Sequence, residues 1–194
     1  MKKLDRTQLY SLEQYAERRK EFRAEVMAHK LNRRLAIGPN ATLYFEDRLT
    51  IQYQIQEMLR IEKVFEAAGI EDELETYNPL IPDGRNWKAT FMLEYDEPEE
   101  RKTQLARMLG IDKAVWMKVT GHDAIVPISN EDLQRETETK TSSVHFMRFE
   151  LTPDMIKDLK QGAAISAGID HDAYRYKLTP IPENVQKALL KDLD

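Results

Sequence analysis

The chain has 194 residues, 41% of them hydrophobic and 32% charged, with a net charge of −5 and no cysteine. This is the composition of a globular protein long enough for one sizeable core and short for two domains, and the lack of thiols excludes disulfides, cysteine nucleophiles and cysteine-held zinc or iron–sulfur sites. No apolar run approaches the roughly 18 residues needed to span a bilayer, and MKKLDRTQLYS lacks the apolar stretch of a signal peptide, so a cytoplasmic protein with no membrane association is expected.

Charge is uneven along the chain. Residues 1–40 hold ten Lys/Arg against five Asp/Glu, and the remainder 19 against 29. A basic N-terminal helical arm, residues 1–32, is therefore expected to pack on its own acidic body within a single domain spanning 1–194. The cluster His29, Lys30, Arg33 and Arg34 has no interleaved aromatic residues for base stacking, so no nucleic-acid binding is expected.

In chain order, Ser11 and Gln14 have the form of a capping box, and Leu12, Tyr15, Phe22 and Val26 follow at helical spacing up to about Lys30. Arg33 to Ile37 and Ala41 to Phe45 flank Gly38, Pro39 and Asn40 as a hairpin. The longest patterned stretch comes next, Glu46 to Ala68, a central helix expected to end at Gly69. At about 100° per residue, Ile55, Met58, Leu59, Ile61 and Phe65 fall within roughly 80° of Ile51. Glu62 lies near the centre of that apolar arc, with Arg48 and Gln54 at its margins. A buried carboxylate needs a partner. One reading is a structural ion pair of Glu62 with Arg48 or a residue from another element; the other is a polar pocket built from Arg48, Gln54, Glu57 and Glu62. Glu57 and Arg60 can equally form the solvated back of the helix.

YNPLIPDGR, residues 77–85, is a proline-rich loop. A strand is expected over Lys88–Tyr95, then a helix within Asp96–Leu109 closed by Gly110, then a hairpin of Val115–Val119 and Ala124–Ile128 around Gly121. Ser129 opens a polar helix to about Lys140. VHFMRFEL, 144–151, is the best strand, with Val144, Phe146, Arg148 and Glu150 on one face and His145, Met147, Phe149 and Leu151 on the other. Thr152 and Pro153 cap a helix that Gly162 ends; strands at 163–169 and 174–178 and a helix at 183–193 complete the chain. Hairpins without regular βα alternation predict an α+β fold, a largely antiparallel sheet packed against the long central helix.

No phosphate-binding or catalytic signature is present, and no two of His29, His122, His145 and His171 lie at a local metal-ligand spacing, so no metal site is assigned. His145 must satisfy its ring nitrogens on an apolar face, as a hydrogen-bonded core residue or as part of a pocket. His171, in GIDHDAYRY, sits on a turn between two strands, where turn chemistry and function both occur.

Through AHKLNRRLAIGPNATLYFEDRLTIQYQIQEMLRIEKVFE, YNPLIPDG, SSVHFMRFELTP and GIDHDAYRY, the chain resembles domain-of-unknown-function family 3501, a group of uncharacterised bacterial proteins. The resemblance supplies no catalytic residues and no cofactor. It implies genomic neighbours that are rubrerythrin-like or heterodisulfide-reductase-like iron–sulfur proteins, hence a redox or peroxide-stress context. Two functions are open: a cofactor-free accessory or interaction protein docking on such a redox partner, and a small-molecule or metal-binding protein, even an enzyme, with a polar pocket between central helix and sheet. Arg48, Gln54, Glu57, Glu62, His145 and His171 are the candidate ligand-binding residues, and a homo-oligomer is compatible with either.

Overall fold

A computed structural model describes residues 2–133 and 135–194. The first helix, α1 (Leu12–Lys30), starts on the Ser11–Gln14 capping box expected from sequence. It leads to the hairpin β1 (Arg34–Ala36) and β2 (Ala41–Phe45) and to α2 (Arg48–Glu62). Next come α3 (Ala67–Tyr77), β3 (Asn86–Leu93), α4 (Pro98–Arg107), the single turn α5 (Ile111–Ala114) and β4 (Val115–Val119). Two short strands, β5 (Ala124–Ile125) and β6 (Ile128–Ser129), precede β7 (Val144–Glu150), α6 (Pro153–Lys160), β8 (Ile165–His171), β9 (Tyr174–Leu178) and α7 (Glu183–Leu190).

The fold is α+β, and every strand pair is antiparallel. The described residues form two sheets rather than one, ordered β1-β2-β3-β7-β6 and β5-β4-β8-β9. The break falls at Val126–Pro127: proline cannot donate to a ladder, so the run read as one strand from Ala124 to Ile128 instead gives β5 to one sheet and β6 to the other. Trp87, Ala89, Phe91 and Leu93 alternate on β3 and meet Phe149, Met147 and His145 across β7. With Val115, Met117, Val119, Ile165, Ala167 and Ile169 of the second sheet they form one apolar core, to which α4, α6 and α7 add Leu105, Leu159 and Leu189.

The three N-terminal helices pack mainly on each other. Ile51, Ile55 and Leu59 of α2 meet Leu74 of α3 and Ile81 in one cluster, while Tyr53 joins Tyr15, Phe22 and Val26 of α1 in another. The expected 46–68 helix is therefore two helices. Lys63 takes the left-handed conformation, φ 55°, and its N–H closes on Leu59 O as a cap. Gly69, expected to be the stop, lies inside α3 and serves close packing: a Cβ there would come 2.7 Å from the Val64 side chain. The expected polar helix from Ser129 to Lys140 is absent among the described residues. Ser129 pairs with Met147 as a strand residue, Asn130 is left-handed at φ 55°, and Thr137 and Lys140 close a turn.

Candidate ligand groove

β7 presents two faces of opposite character. His145, Met147 and Phe149 point into the core between the sheets, while Val144, Phe146 and Arg148 point outward, beneath the N-terminal helices. Register extends this outer face across three strands, in the rows Tyr44–Thr90–Phe146, Thr42–Met92–Val144 and Lys88–Arg148. Over it stand Met27 and Lys30 of α1, Thr50, Ile51 and Gln54 of α2, Tyr77 at the end of α3 and Leu80 after it. The helices bury their apolar faces against each other, so they stand off the sheet and leave a groove. Its two lobes, of about 450 and 600 Å³, share Tyr77, Leu80 and Phe146.

Most charges along the groove are already paired. The Glu131 carboxylate accepts from Arg148 Nε and Nη2 at 2.8 and 2.7 Å, a bidentate pair that holds the Glu131 carboxyl below its ordinary value, and Arg148 also meets Glu150. Arg135 pairs with Asp132 and lies over the Phe146 ring, 4.5 Å from its centre. Glu46 accepts from the hydroxyls of Thr50 and Thr90 at 2.6 and 2.7 Å. Arg33 is buried, donating to Phe45 O and Glu46 O at 3.0 Å each and to Asp192 at 2.5 Å. Four polar side chains stay uncommitted, one of them the exposed Glu75, which makes no hydrogen bond or salt bridge among the described residues. Gln54 and the Tyr77 hydroxyl have no hydrogen-bond partner among the described residues, and Lys30 has only the Tyr53 ring, 5.7 Å away.

Of the six sequence candidates, Gln54 alone lines this groove. Glu57 faces α1, where its carboxylate accepts from Arg19 Nε and Nη2 at 2.8 Å and from the Tyr15 hydroxyl at 2.6 Å; Arg60 Nε is 3.7 Å away. It is an interhelical tie, and the solvated-back reading of Glu57 is corrected. Arg48 is half-buried in the first turn of α2, without a salt bridge among the described residues. Glu62 is exposed at the last residue of α2, so its placement in the apolar arc is corrected; it meets neither Arg48 nor His145. The cause is that α2 buries a surface turned toward α1, through Tyr53 and Gln56, and leaves Ile61 and Phe65 exposed at 62% and 71%.

His145 is buried in the inter-sheet core, on the far side of the sheet from α2. Its Nδ1 is 3.0 Å from Asn130 Nδ2, and its Nε2 is 3.0 Å from both Ser142 O and Thr141 Oγ1. A neutral ring protonated at Nε2 satisfies both sides, and burial pushes its pKa below the usual imidazole value. His171 donates from Nε2 to Leu109 O at 2.9 Å and accepts from Ala173 N–H at 3.1 Å, which is turn chemistry. The sequence reading missed Lys30, Tyr77, Lys88, Thr90 and Phe146. The two-faced pattern of VHFMRFEL was the available signal, but it drew attention to the core-facing histidine rather than to the apolar outer face.

Fold and groove together define an α+β protein with two antiparallel sheets and an open cleft beneath a helical cap. The family model for DUF3501, described as a protein of unknown function, matches residues 3–193, and the chain belongs to that family. A crystal structure of a novel protein of unknown function from Burkholderia pseudomallei K96243 is similar over 100% of both chains, with 46% identity and a TM-score of 0.94. Comparison with curated proteins gives no match.

Proposed function

We propose that the protein binds an elongated amphipathic small molecule with one anionic end, such as a medium-chain carboxylate, in the groove under α2 and α3. One observation carries this reading: an apolar floor and walls of Met92, Val144, Phe146, Leu80 and Tyr77 run continuously past the uncommitted Lys30, Gln54 and Tyr77 hydroxyl. Ligand sites are typically clefts of about 300–1,000 Å³, largely apolar, with a few polar groups fixing orientation. Isothermal titration with decanoate is the test. Phe146→Asp places a carboxylate on the floor and is expected to abolish binding, and Lys30→Met to weaken it about tenfold, or about 1.4 kcal/mol. Equal affinity of Phe146→Asp and the parent protein would refute the reading.

A second reading has its own observation. Phe65, exposed at the α2–α3 turn beside Leu9, Leu12 and Ile70, and Ile61, exposed in the last turn of α2, suit docking on another protein. The family resemblance makes that partner a rubrerythrin-like or iron–sulfur redox protein, with this chain an accessory component. Gel filtration of the two purified proteins should give a complex that Phe65→Glu disrupts; co-elution unaffected by Phe65→Glu would remove this reading.

In both readings the protein works in the cytoplasm, away from membranes and nucleic acid. Among the described residues no helix is long and apolar enough to cross a membrane. Among the described residues of 1–40, Arg19 pairs with Glu57 and Arg33 with Asp192, and Arg18, Lys30 and Arg34 lie against the rings of Tyr10, Tyr53 and Tyr44. Fluorescence anisotropy with a labelled duplex at about 150 mM salt should show no saturable binding; micromolar affinity that weakens steeply with added salt would contradict this.

A further inference from the structure

Lys88 stands on the groove floor, on the outer face of β3 and opposite Arg148 in register, in the lobe walled by Tyr77, Leu80 and Phe146. It is half-buried, and its amine makes one hydrogen bond, 2.5 Å to Pro79 O. That bond holds the nitrogen against the groove wall at Pro79. Arg148 beside it is paired with Glu131 and Glu150 and so is not free to bind a ligand. A lysine desolvated in an apolar pocket, or placed next to another cation, is the standard route to an amine that is nucleophilic near neutral pH.

We propose that Lys88 is a covalent anchoring site, whose amine condenses reversibly with the carbonyl carbon of an aldehyde or ketone borne on an apolar chain lying in the groove. The inference rests on the groove reading and deepens it. Burial moves Lys88 below the ordinary lysine value and Arg148 pushes the same way; Asp83, Glu131 and Glu150 oppose. The lone pair of the neutral amine forms the new C–N bond while the C–O π pair moves to oxygen. One proton passes from nitrogen to that oxygen, giving a carbinolamine. The hydroxyl then leaves with the second nitrogen proton as water, and a C=N bond remains. Nothing is oxidised or reduced, and hydrolysis returns the carbonyl compound. Tyr77, whose hydroxyl has no partner among the described residues, lines the same lobe and can supply the proton that assists departure of the hydroxyl.

The full chain is incubated with hexanal and sodium cyanoborohydride, which reduces the C=N bond to a stable secondary amine, and adducts are mapped by peptide mass spectrometry. Lys88 should be labelled about tenfold faster than the exposed Lys20 and Lys113, with its rate rising at lower pH than theirs. Decanoate should protect Lys88 alone. Lys88→Arg, which keeps a charged donor for Pro79 O, should remove the fast adduct without lowering the melting temperature. Labelling of Lys88 no faster than Lys20 overturns the proposal. If decanoate still binds in that case, the anchor alone falls; if it does not, the groove reading falls with it.

Discussion

Replacing Arg33 with alanine is expected to destabilise the protein by about 3–5 kcal/mol, the cost of removing one partner from a buried ion network. Arg33 is 2% exposed and joins three parts of the chain: the end of β2 through Phe45 O and Glu46 O, the α2 cap Asp47 at 3.4 Å, and Asp192 beyond α7. Without it, two buried carboxylates face each other and the carbonyls of Phe45, Glu46 and Ala188 lose their donor. Asp192→Asn should cost far less, about 1 kcal/mol or below, because an amide oxygen can still accept from Arg33 and the burial of a charge is relieved. Burial pushes the Asp192 carboxyl up to about 6, against the pull of Arg33. A carboxyl raised in the native state binds its proton more tightly there than in the unfolded chain. Its stabilising contribution is therefore present below about pH 4 and is lost as pH rises through about 6, and Asp192→Asn should remove that part of the pH dependence. Urea denaturation of the three proteins at about pH 5 and pH 7 gives these values; a cost below about 1 kcal/mol for Arg33→Ala would show that the network does not hold the helices to the body.

Two glutamates five residues apart on α2 should differ as sharply. Glu57→Ala strips the fully buried Tyr15 hydroxyl of its acceptor and Arg19 of its bidentate partner, at a cost on the order of 2–3 kcal/mol. Glu62→Ala removes an exposed side chain and should stay within about 0.5 kcal/mol. The Arg19 hydrogen bonds, helped by Tyr15, hold the Glu57 carboxyl down to about 2. Its contribution is thus present above the unfolded glutamate value and lost as pH falls toward 2, the reverse of Asp192. Thermal melts of both alanine variants decide the matter, and a larger loss from Glu62→Ala would put the buried face of α2 back on the apolar arc around Glu62.

The contrast between these residues shows where sequence reading worked. Local signals were legible: the Ser11–Gln14 capping box, the hairpin around Gly38, the Thr152–Pro153 helix start and the alternation on β7 all depend on residues a few positions apart. What failed depends on neighbours distant in sequence. A projection at about 100° per residue treats α2 as having one partner, but α1 takes Tyr53 and Gln56 while Leu74 and Ile81 take Ile51, Ile55 and Leu59, so the buried surface rotates away from Ile61 and Glu62. Likewise Ser129 reads as a helix cap until Met147 becomes its strand partner. The expected pocket between central helix and sheet was a polar one of Arg48, Gln54, Glu57 and Glu62, whereas the groove has an apolar floor and takes only Gln54 from that set. Its floor needed the register of β2, β3 and β7, which brings residues 44, 90 and 146 into one row.

That groove is the central claim, and amide chemical-shift mapping during a decanoate titration tests it most directly. Perturbations should concentrate at Gln54, Tyr77, Thr90, Val144 and Phe146, the residues lining the two lobes. A titration that leaves these signals unmoved, or shifts only the Ile61–Phe65 turn, would contradict it.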